Sequence, residues 1–253
     1  MNLGLVQYNP LWENKEENKQ KILRLLDKNL DEVSLLIFPE MTLTGFTMKS
    51  SQFAEELKGK SFLFFSELSK KKNVHCIAGI IEKENGNFFN TLIHINVKGE
   101  LVNKYQKIHP FSYAEEDKNY SKGKKVQTTT IDSWKIGLSI CYDLRFPELF
   151  RFYGKEKVDL IINIANWPIA RIEHWRTLLK ARAIENQCFM IGVNRVGKDP
   201  TLDYSGYSSV YDPMGAEIIS SSIEEKIITA YIDNELVTST RKKLPFLNDI
   251  SLI

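Results

Sequence analysis

Strand and helix patterns alternate along the whole chain, and this alternation limits its fold more than any other feature. Short apolar runs at residues 3–8 and 34–38 flank a charged amphipathic segment at 14–30, and a second helix is predicted at 53–71. The apolar side chains of the first helix recur at helical spacing, at Ile22, Leu25, Leu26 and Leu30. Strands joined through helices of this length pack as parallel neighbours, so the pattern predicts an α/β fold.

The middle of the chain adds antiparallel pairs to this alternation. Turn sequences at residues 85–87 (NGN) and 98–99 (KG) separate three strand patterns and predict a meander, which an irregular segment at 108–125 follows. The predicted strands lie at 74–81, 88–97, 101–105, 136–140, 160–164 and 189–193, with helices at 146–153 and 172–186 and further strands up to residue 232. No repeat or low-complexity linker divides the chain, so we predict one layered α/β domain at 1–253 with mixed sheets.

Charge and cysteine content exclude several classes of protein. The 253 residues carry 34 basic and 32 acidic side chains, a net charge of +2 that disfavours a dedicated nucleic-acid binder. No apolar run approaches the roughly 18 residues of a membrane helix, and the first residues do not resemble a signal peptide. The three cysteines, Cys76, Cys141 and Cys188, include no C-x-x-C pair. We therefore predict a cytoplasmic protein that binds neither nucleic acid nor membrane.

Three reactive side chains follow predicted strands. Glu40 and Cys141 come after apolar runs, and Lys107 lies two residues beyond another strand, where α/β sheets usually present their site residues. Each has an ordinary explanation, because cysteines are often inert in a core and charged side chains at strand ends are usually solvated. Cys141 is distinguished by Pro147, which can begin a helix directly after it. Such a turn would hold the sulfur out of the core and aim backbone N–H groups at an oxyanion.

Three motifs in fixed order carry a resemblance to a known family. They are FPEM at 38–41, YQKIH at 105–109 and ICYDLRFPEL at 140–149. Together they resemble the nitrilase superfamily of carbon–nitrogen hydrolases. Further runs look most like its omega-amidase branch: ANWP at 165–168, HW at 174–175, ARAIENQ at 181–187 and NRVG at 194–197. The resemblance implies a four-layer αββα sandwich with two mixed β-sheets, and it implies no cofactor.

The resemblance also implies a role for each reactive residue. It places the base on Glu40, the cation on Lys107 and the nucleophile on Cys141. A second glutamate that supports the site falls on Glu116, with its neighbour Glu115 as the alternative register. The family's members commonly pair through helices that flank the nucleophile, so the resemblance implies a homodimer, with 171–186 as the candidate interface segment.

The residue types suit hydrolysis through a covalent acyl-enzyme. The Cys141 thiol is mostly protonated at neutral pH, so a general base is needed, and the Glu40 carboxylate could accept that proton. Lys107 and the backbone N–H of Tyr142 would stabilise the negative oxygen of the tetrahedral intermediate. The variant Lys107→Ala should therefore be nearly inactive while still folding.

The pocket residues have two possible interpretations each. Arg145 lies four residues after the nucleophile, where relatives that act on acidic amides bind a carboxylate; an ion pair with Asp143 or Glu148 is the alternative. Three aromatic residues could line a small pocket or belong to the core, namely Phe46, Phe111 and Trp167.

We therefore predict an amidase that releases ammonia from the terminal amide of a small carboxylate, such as 2-oxoglutaramate or 2-oxosuccinamate as the branch resemblance implies. The alternatives are a related hydrolase of an N-carbamoyl amine or of deaminated glutathione, and a non-catalytic scaffold of the same fold. A Cys–His hydrolase remains a further alternative, with His109 as the base. The chain contains no H-x-x-H or similar spacing, so no metal site is predicted.

Overall fold

The structure is a computed structural model that describes residues 1–28, 33–219 and 223–252. The strands of these ranges are β1 (Asn2–Gln7), β2 (Leu35–Ile37), β3 (His75–Glu84), β4 (Asn87–Ile95), β5 (Leu101–Gln106), β6 (Thr128–Ile131), β7 (Trp134–Ile140), β8 (Leu160–Ala165), β9 (Phe189–Asn194), β10 (Val196–Lys198), β11 (Asp203–Ser205), β12 (Ser209–Tyr211) and β13 (Lys226–Tyr231). The helices are α1 (Lys15–Lys28), α2 (Ser50–Phe53), α3 (Lys60–Lys72), α4 (Glu116–Asn119), α5 (Pro147–Lys155), α6 (Ile172–Asn186) and α7 (Asn234–Lys243). None of these helices has the length and apolar character that crossing a bilayer requires.

Two large sheets contain most of the strands. One has six strands in the order β13-β1-β2-β3-β4-β5, and the other has five in the order β12-β9-β8-β7-β6. In each sheet a parallel trio is extended on both sides by antiparallel neighbours, with β1-β2-β3 in the first and β7-β8-β9 in the second. The prediction of two mixed sheets is confirmed.

Alternating side chains divide the core into layers. In β2, Leu35 and Ile37 pack towards the second sheet, whereas Leu36 packs with residues of α1 and α3 on the opposite face. Helices α5 and α6 cover the second sheet, where Gly192 of β9 leaves room for Trp175 of α6. Apolar contacts on both faces of both sheets therefore produce the predicted αββα sandwich.

Several element boundaries differ from the prediction. The second helix was expected at 53–71 but begins at Lys60, because Glu55 accepts a hydrogen bond from the Ser61 backbone at 2.7 Å and pairs with Lys15, which holds the preceding segment in another conformation. Strand β6 and helix α7 were not predicted from the sequence, and the segment expected to be irregular contains α4. Leu30, predicted on the apolar face of the first helix, lies outside the described residues.

Candidate active site

Cys141 occupies a sharp turn directly after β7. The strand ends at Ile140, and Cys141 opens the 3₁₀ turn Cys141–Arg145 with a φ of 47°. A non-glycine residue adopts this left-handed conformation only when its surroundings enforce it. Asp143 contributes here, since its Oδ2 accepts a hydrogen bond from the Ile140 N–H at 3.0 Å. The sequence-predicted turn is thus present, with Cys141 partly exposed in it.

Asp143 also ties this turn to the segment after β5. Its carboxylate accepts hydrogen bonds from the Tyr105 hydroxyl at 2.7 Å and from the His109 backbone at 3.0 Å. The Nδ1 atom of His109 lies 2.7 Å from the same carboxylate, and its ring stacks on Phe146 at 3.9 Å between centroids. His109 is therefore engaged by Asp143, an arrangement that does not favour it as the base for Cys141.

Glu40 follows β2 and is buried at the junction of the two sheets. Met41, the next residue, has a φ of 44°, and a Cβ on Gly79 of β3 would lie 2.4 Å from its backbone nitrogen. Glycine therefore permits the close approach of the Glu40 turn to β3. The Glu40 Oε2 atom accepts a hydrogen bond from the backbone N–H of Asn166, the residue that directly follows β8, at 2.9 Å.

Four buried side chains form what we call the carboxylate–lysine cluster: Glu40, Asn90, Lys107 and Glu116. Lys107 Nζ lies 2.9 Å from Glu40 Oε1 and 2.8 Å from Glu116 Oε2. Asn90 Nδ2 donates to Glu40 Oε1 at 2.7 Å and to Glu116 Oε1 at 2.9 Å. Each of the four is at most 1% exposed, so water cannot substitute for these contacts.

The two candidate glutamates occupy different environments. Glu116 is fully buried, and its Oε2 also accepts a hydrogen bond from the Phe111 backbone at 2.6 Å. Glu115 is exposed and pairs with Lys118 at 2.6 Å. Only Glu116 of this pair therefore contacts Lys107.

The charges in the cluster set the protonation states. Burial acts to lower the pKa of Lys107, but the charges of Glu116 and Glu40 outweigh it and raise that pKa well above its ordinary value. Burial raises the pKa of Glu116, and Lys107 opposes this shift. The pKa of the Cys141 thiol is raised by burial and by Glu40, with Lys107 acting in the opposite direction. The site thus combines an ammonium ion with a protonated thiol that needs a base to become nucleophilic.

Cys141 lines a cavity of about 450 Å³. The three aromatic residues predicted at the pocket all line this cavity, namely Phe46, Phe111 and Trp167, and Tyr142 lines it as well. Phe46 lies between the cavity and the carboxylate–lysine cluster, since Lys107 Nζ lies 5.4 Å from the centroid of its ring. The four histidines all lie in the described ranges, and none of them lines the cavity.

Arg145 lines the same cavity without a carboxylate partner in the described residues. Its guanidinium lies 4.8 Å from the ring centroid of Trp167, and both terminal nitrogens lie 3.3 Å from Nδ1 of His174. Because a guanidinium can only donate, this Nδ1 must accept the hydrogen bonds. The alternative ion pair with Asp143 or Glu148 is not formed.

Asn90, Asn166 and Asp143 hold the site together, although none of them was predicted as a site residue from the sequence. Asn166 could have been found, because it directly follows an apolar strand in the same way as Cys141. Asn90 lies within β4, where its polarity does not distinguish it from ordinary strand alternation. In the described ranges, no group of three or more His, Cys, Asp or Glu side chains is arranged to hold a metal ion.

The sequence and the fold were compared with those of known proteins, and related chains were found. A family model described as carbon–nitrogen hydrolase matches residues 2–242. The sequence is 32% identical to a Staphylococcus aureus protein named hydrolase in agr operon, covering 100% of this chain and 98% of that one. It is 30% identical to the 2-oxoglutaramate amidase of Bacillus subtilis, covering 98% and 96% of the two chains. A solved structure from Xanthomonas campestris, described as a CN-hydrolase superfamily protein with an arsenic adduct in the active site, aligns with a TM-score of 0.95 at 30% identity over 100% of this chain and 98% of that chain.

Proposed function

Because the chain belongs to the carbon–nitrogen hydrolase family, we propose that it is an amidase of the omega-amidase type, which releases ammonia from the terminal amide of a small carboxylate. One observation carries the proposal. The partly exposed Cys141 lines a small cavity, and Glu40 raises the pKa of its thiol. Glu40 is itself paired with the buried Lys107. These are the groups that amide hydrolysis through a thioester requires.

In the proposed first step, the Cys141 sulfur attacks the amide carbonyl while Glu40 takes the thiol proton. The raised pKa of the thiol makes this transfer necessary at neutral pH. The tetrahedral oxyanion forms beside the Lys107 ammonium and the backbone N–H of Tyr142, which lies in the first turn of a helical segment, where N–H groups have no intrahelical partner.

Collapse of this intermediate breaks the carbon–nitrogen bond, and Glu40 returns its proton to the leaving ammonia. Glu40 then takes a proton from water as this water attacks the thioester, and it returns the proton to the Cys141 sulfur when the carbon–sulfur bond breaks and the carboxylic acid leaves. Glu116 keeps Lys107 in place through two contacts of 2.8 and 3.1 Å, so we assign it a supporting role.

The cavity supports a small acidic substrate. Its volume of about 450 Å³ lies in the range of small-molecule sites, and Arg145 offers a guanidinium that no carboxylate of the described residues neutralises. We propose 2-oxoglutaramate or 2-oxosuccinamate as the substrate, and the name of the Bacillus subtilis relative supports this choice.

We also propose that the chain acts as a cytoplasmic homodimer that pairs through α6. Ile184 on this helix is 47% exposed and neighbours Gly215, and Met214, which precedes Gly215 in the chain, is 56% exposed. Ile184→Glu should convert the dimer to a monomer in light scattering. A wild-type chain that scatters as a monomer would refute this assembly.

A panel of amides tests the proposed activity. Ammonia release should be fastest with amides that carry a distal carboxylate and slow with neutral amides of equal length. Cys141→Ala should lose at least about 10⁴-fold in turnover, because it lacks the nucleophile. It should still bind the acidic amide in calorimetry, whereas retained turnover in this variant would disprove the thioester route. Mass spectrometry of the wild type quenched with substrate should show an acyl adduct on Cys141.

A further inference from the structure

Arg171 is a second cavity-lining guanidinium, and it has no role in the proposal above. It ends the 3₁₀ turn Ile169–Arg171, directly before α6. Its backbone is fixed at both ends, since the Trp167 indole donates to its carbonyl at 2.8 Å and its N–H donates to Pro168 at 3.1 Å. Its guanidinium lies 5.5 Å from the ring centroid of Phe111. The side chain is thus held on the aromatic wall near Cys141.

The donors of Arg171 have no acceptor in the described part of the chain. Other half-buried arginines are satisfied there: Arg151 donates to a backbone carbonyl, and Arg241 donates to several. A planar guanidinium carries five N–H donors, and those of Arg171 can bind a ligand in the cavity without breaking a hydrogen bond to the described residues.

The other charges that line the cavity are already paired or hydrogen-bonded. Lys49 pairs with Glu13 at 2.6 Å. Asp199 accepts hydrogen bonds from the backbone N–H groups of Thr201 and Leu202, both at 2.7 Å. Arg145 and Arg171 are therefore the two lining cations that have no carboxylate partner in the described residues and can both face a substrate.

We propose that Arg171 binds the 2-oxo acid end of the substrate together with Arg145, and that it selects amides whose carboxylate is flanked by a 2-oxo group. This inference rests on the proposed function. A carboxylate oxygen and the neighbouring oxo oxygen can lie in one plane, and such a pair of acceptors matches the parallel N–H donors of one guanidinium. An amide without the oxo group offers Arg171 one acceptor fewer.

Two substrates that differ only in the oxo group test this assignment: 2-oxoglutaramate and glutaramate. The variant Arg171→Met removes the charge and keeps an unbranched apolar side chain beside Phe111, whereas Arg171→Lys keeps the charge and loses the fork. We expect Arg171→Met to lower kcat/KM for 2-oxoglutaramate by roughly 10- to 100-fold, mainly through KM, and to lower it much less for glutaramate. Arg171→Lys should recover only part of the loss.

Arg24→Met provides the matched control, because Arg24 is exposed on α1 and does not line the cavity. This variant should keep wild-type values with both substrates. Equal losses for the two substrates in Arg171→Met, or no loss, would overturn the inference while leaving the amidase proposal intact.

Binding experiments separate failure of the inference from failure of the proposed function. Calorimetry with Cys141→Ala should show that 2-oxoglutarate binds more tightly than glutarate, and that the added Arg171→Met substitution removes most of this difference. If the wild type released no ammonia from any acidic amide, the proposed function would fail, yet this binding comparison would still test Arg171. No preference for 2-oxoglutarate in Cys141→Ala would refute the role of Arg171 directly.

Discussion

Two polar clusters lie along the inner face of β4, and they accommodate buried polar side chains in different ways. Asn90 and His94 lie four residues apart on this face, with Leu92 between them in the core. Asn90 belongs to the carboxylate–lysine cluster. His94 forms what we call the histidine cluster with His75, whose Nδ1 lies 2.9 Å from His94 Nε2, and with Thr129, whose Oγ1 lies 2.7 Å from His94 Nδ1.

The two clusters differ in charge, although Asn90 and His94, their residues on β4, are equally buried. Burial lowers the pKa of His94 to about 3, so the histidine is neutral at physiological pH and joins β4 of one sheet to β6 of the other. The carboxylate–lysine cluster instead keeps ions in an equally buried place, although desolvated ions are costly. We infer that buried charge, more than buried polarity, distinguishes the reactive end of this strand.

Lys107→Met should produce the largest effect within this comparison. It leaves Glu40 and Glu116 facing each other without their cation, so turnover should fall by at least about 10²-fold through loss of oxyanion stabilisation. The free energy of unfolding should fall by about 3–5 kcal/mol at pH 7, the usual cost of breaking a buried ion pair. This deficit should shrink towards acid pH as the carboxylates become protonated. Denaturant unfolding at several pH values measures it.

Lys104→Met, a substitution in β5 three residues before Lys107, is the matched control. Lys104 is partly exposed and pairs with the buried Glu82 and with the more exposed Glu84, and turnover should be unchanged without it. If Lys104→Met lost as much unfolding free energy as Lys107→Met, the charges of the carboxylate–lysine cluster would contribute no more to stability than the ion pairs of Lys104.

Glu116→Gln should have a smaller effect, because Lys107 keeps Glu40 as its counterion. We expect turnover to fall by roughly 10- to 100-fold, the value of one charge-assisted hydrogen bond. The raised pKa of Glu116 means that its stabilising contribution is present at low pH and is lost as pH rises from its ordinary value of 4.5 through the folded value. The unfolding free energy of the variant should therefore improve relative to wild type as pH increases. Glu115→Gln, at the exposed neighbouring position, should change neither quantity.

The fold class and part of the candidate site could be predicted from the sequence. The fold class, the family and the amide-hydrolase class are confirmed, and the predicted helix at 172–186 has the observed bounds. Glu40 and Cys141 were identifiable because each follows a buried parallel strand, β2 in one sheet and β7 in the other, and such strand ends usually present site residues. The catalytic roles, the homodimer and the cytoplasmic location stay predictions.

Other features depend on local geometry that residue patterns do not specify. Glu115 and Glu116 have identical side chains, and only the left-handed backbone of Glu115, with φ of 58°, ends the 3₁₀ turn there and sends the next residue inward. Asn90 looks like any polar residue on a strand until β5 brings Lys107 beside it. Arg171 likewise gains significance only from the cavity that surrounds it.

The smallest predicted effect concerns the histidine cluster. In His94→Gln, an uncharged side chain replaces a histidine whose folded pKa of about 3 lies below its ordinary value of 6.5. The unfolded chain therefore binds a proton that the folded chain does not, and wild-type stability is lost as pH falls below 6.5. Between pH 6 and pH 5 the wild type should lose about 1 kcal/mol more unfolding free energy than the variant, since one proton corresponds to about 1.4 kcal/mol per pH unit. Urea unfolding at the two pH values measures this difference, and turnover at pH 7 should be unchanged. Parallel pH profiles would mean that His94 is charged in the folded chain, and the contrast between the two ends of β4 would then disappear.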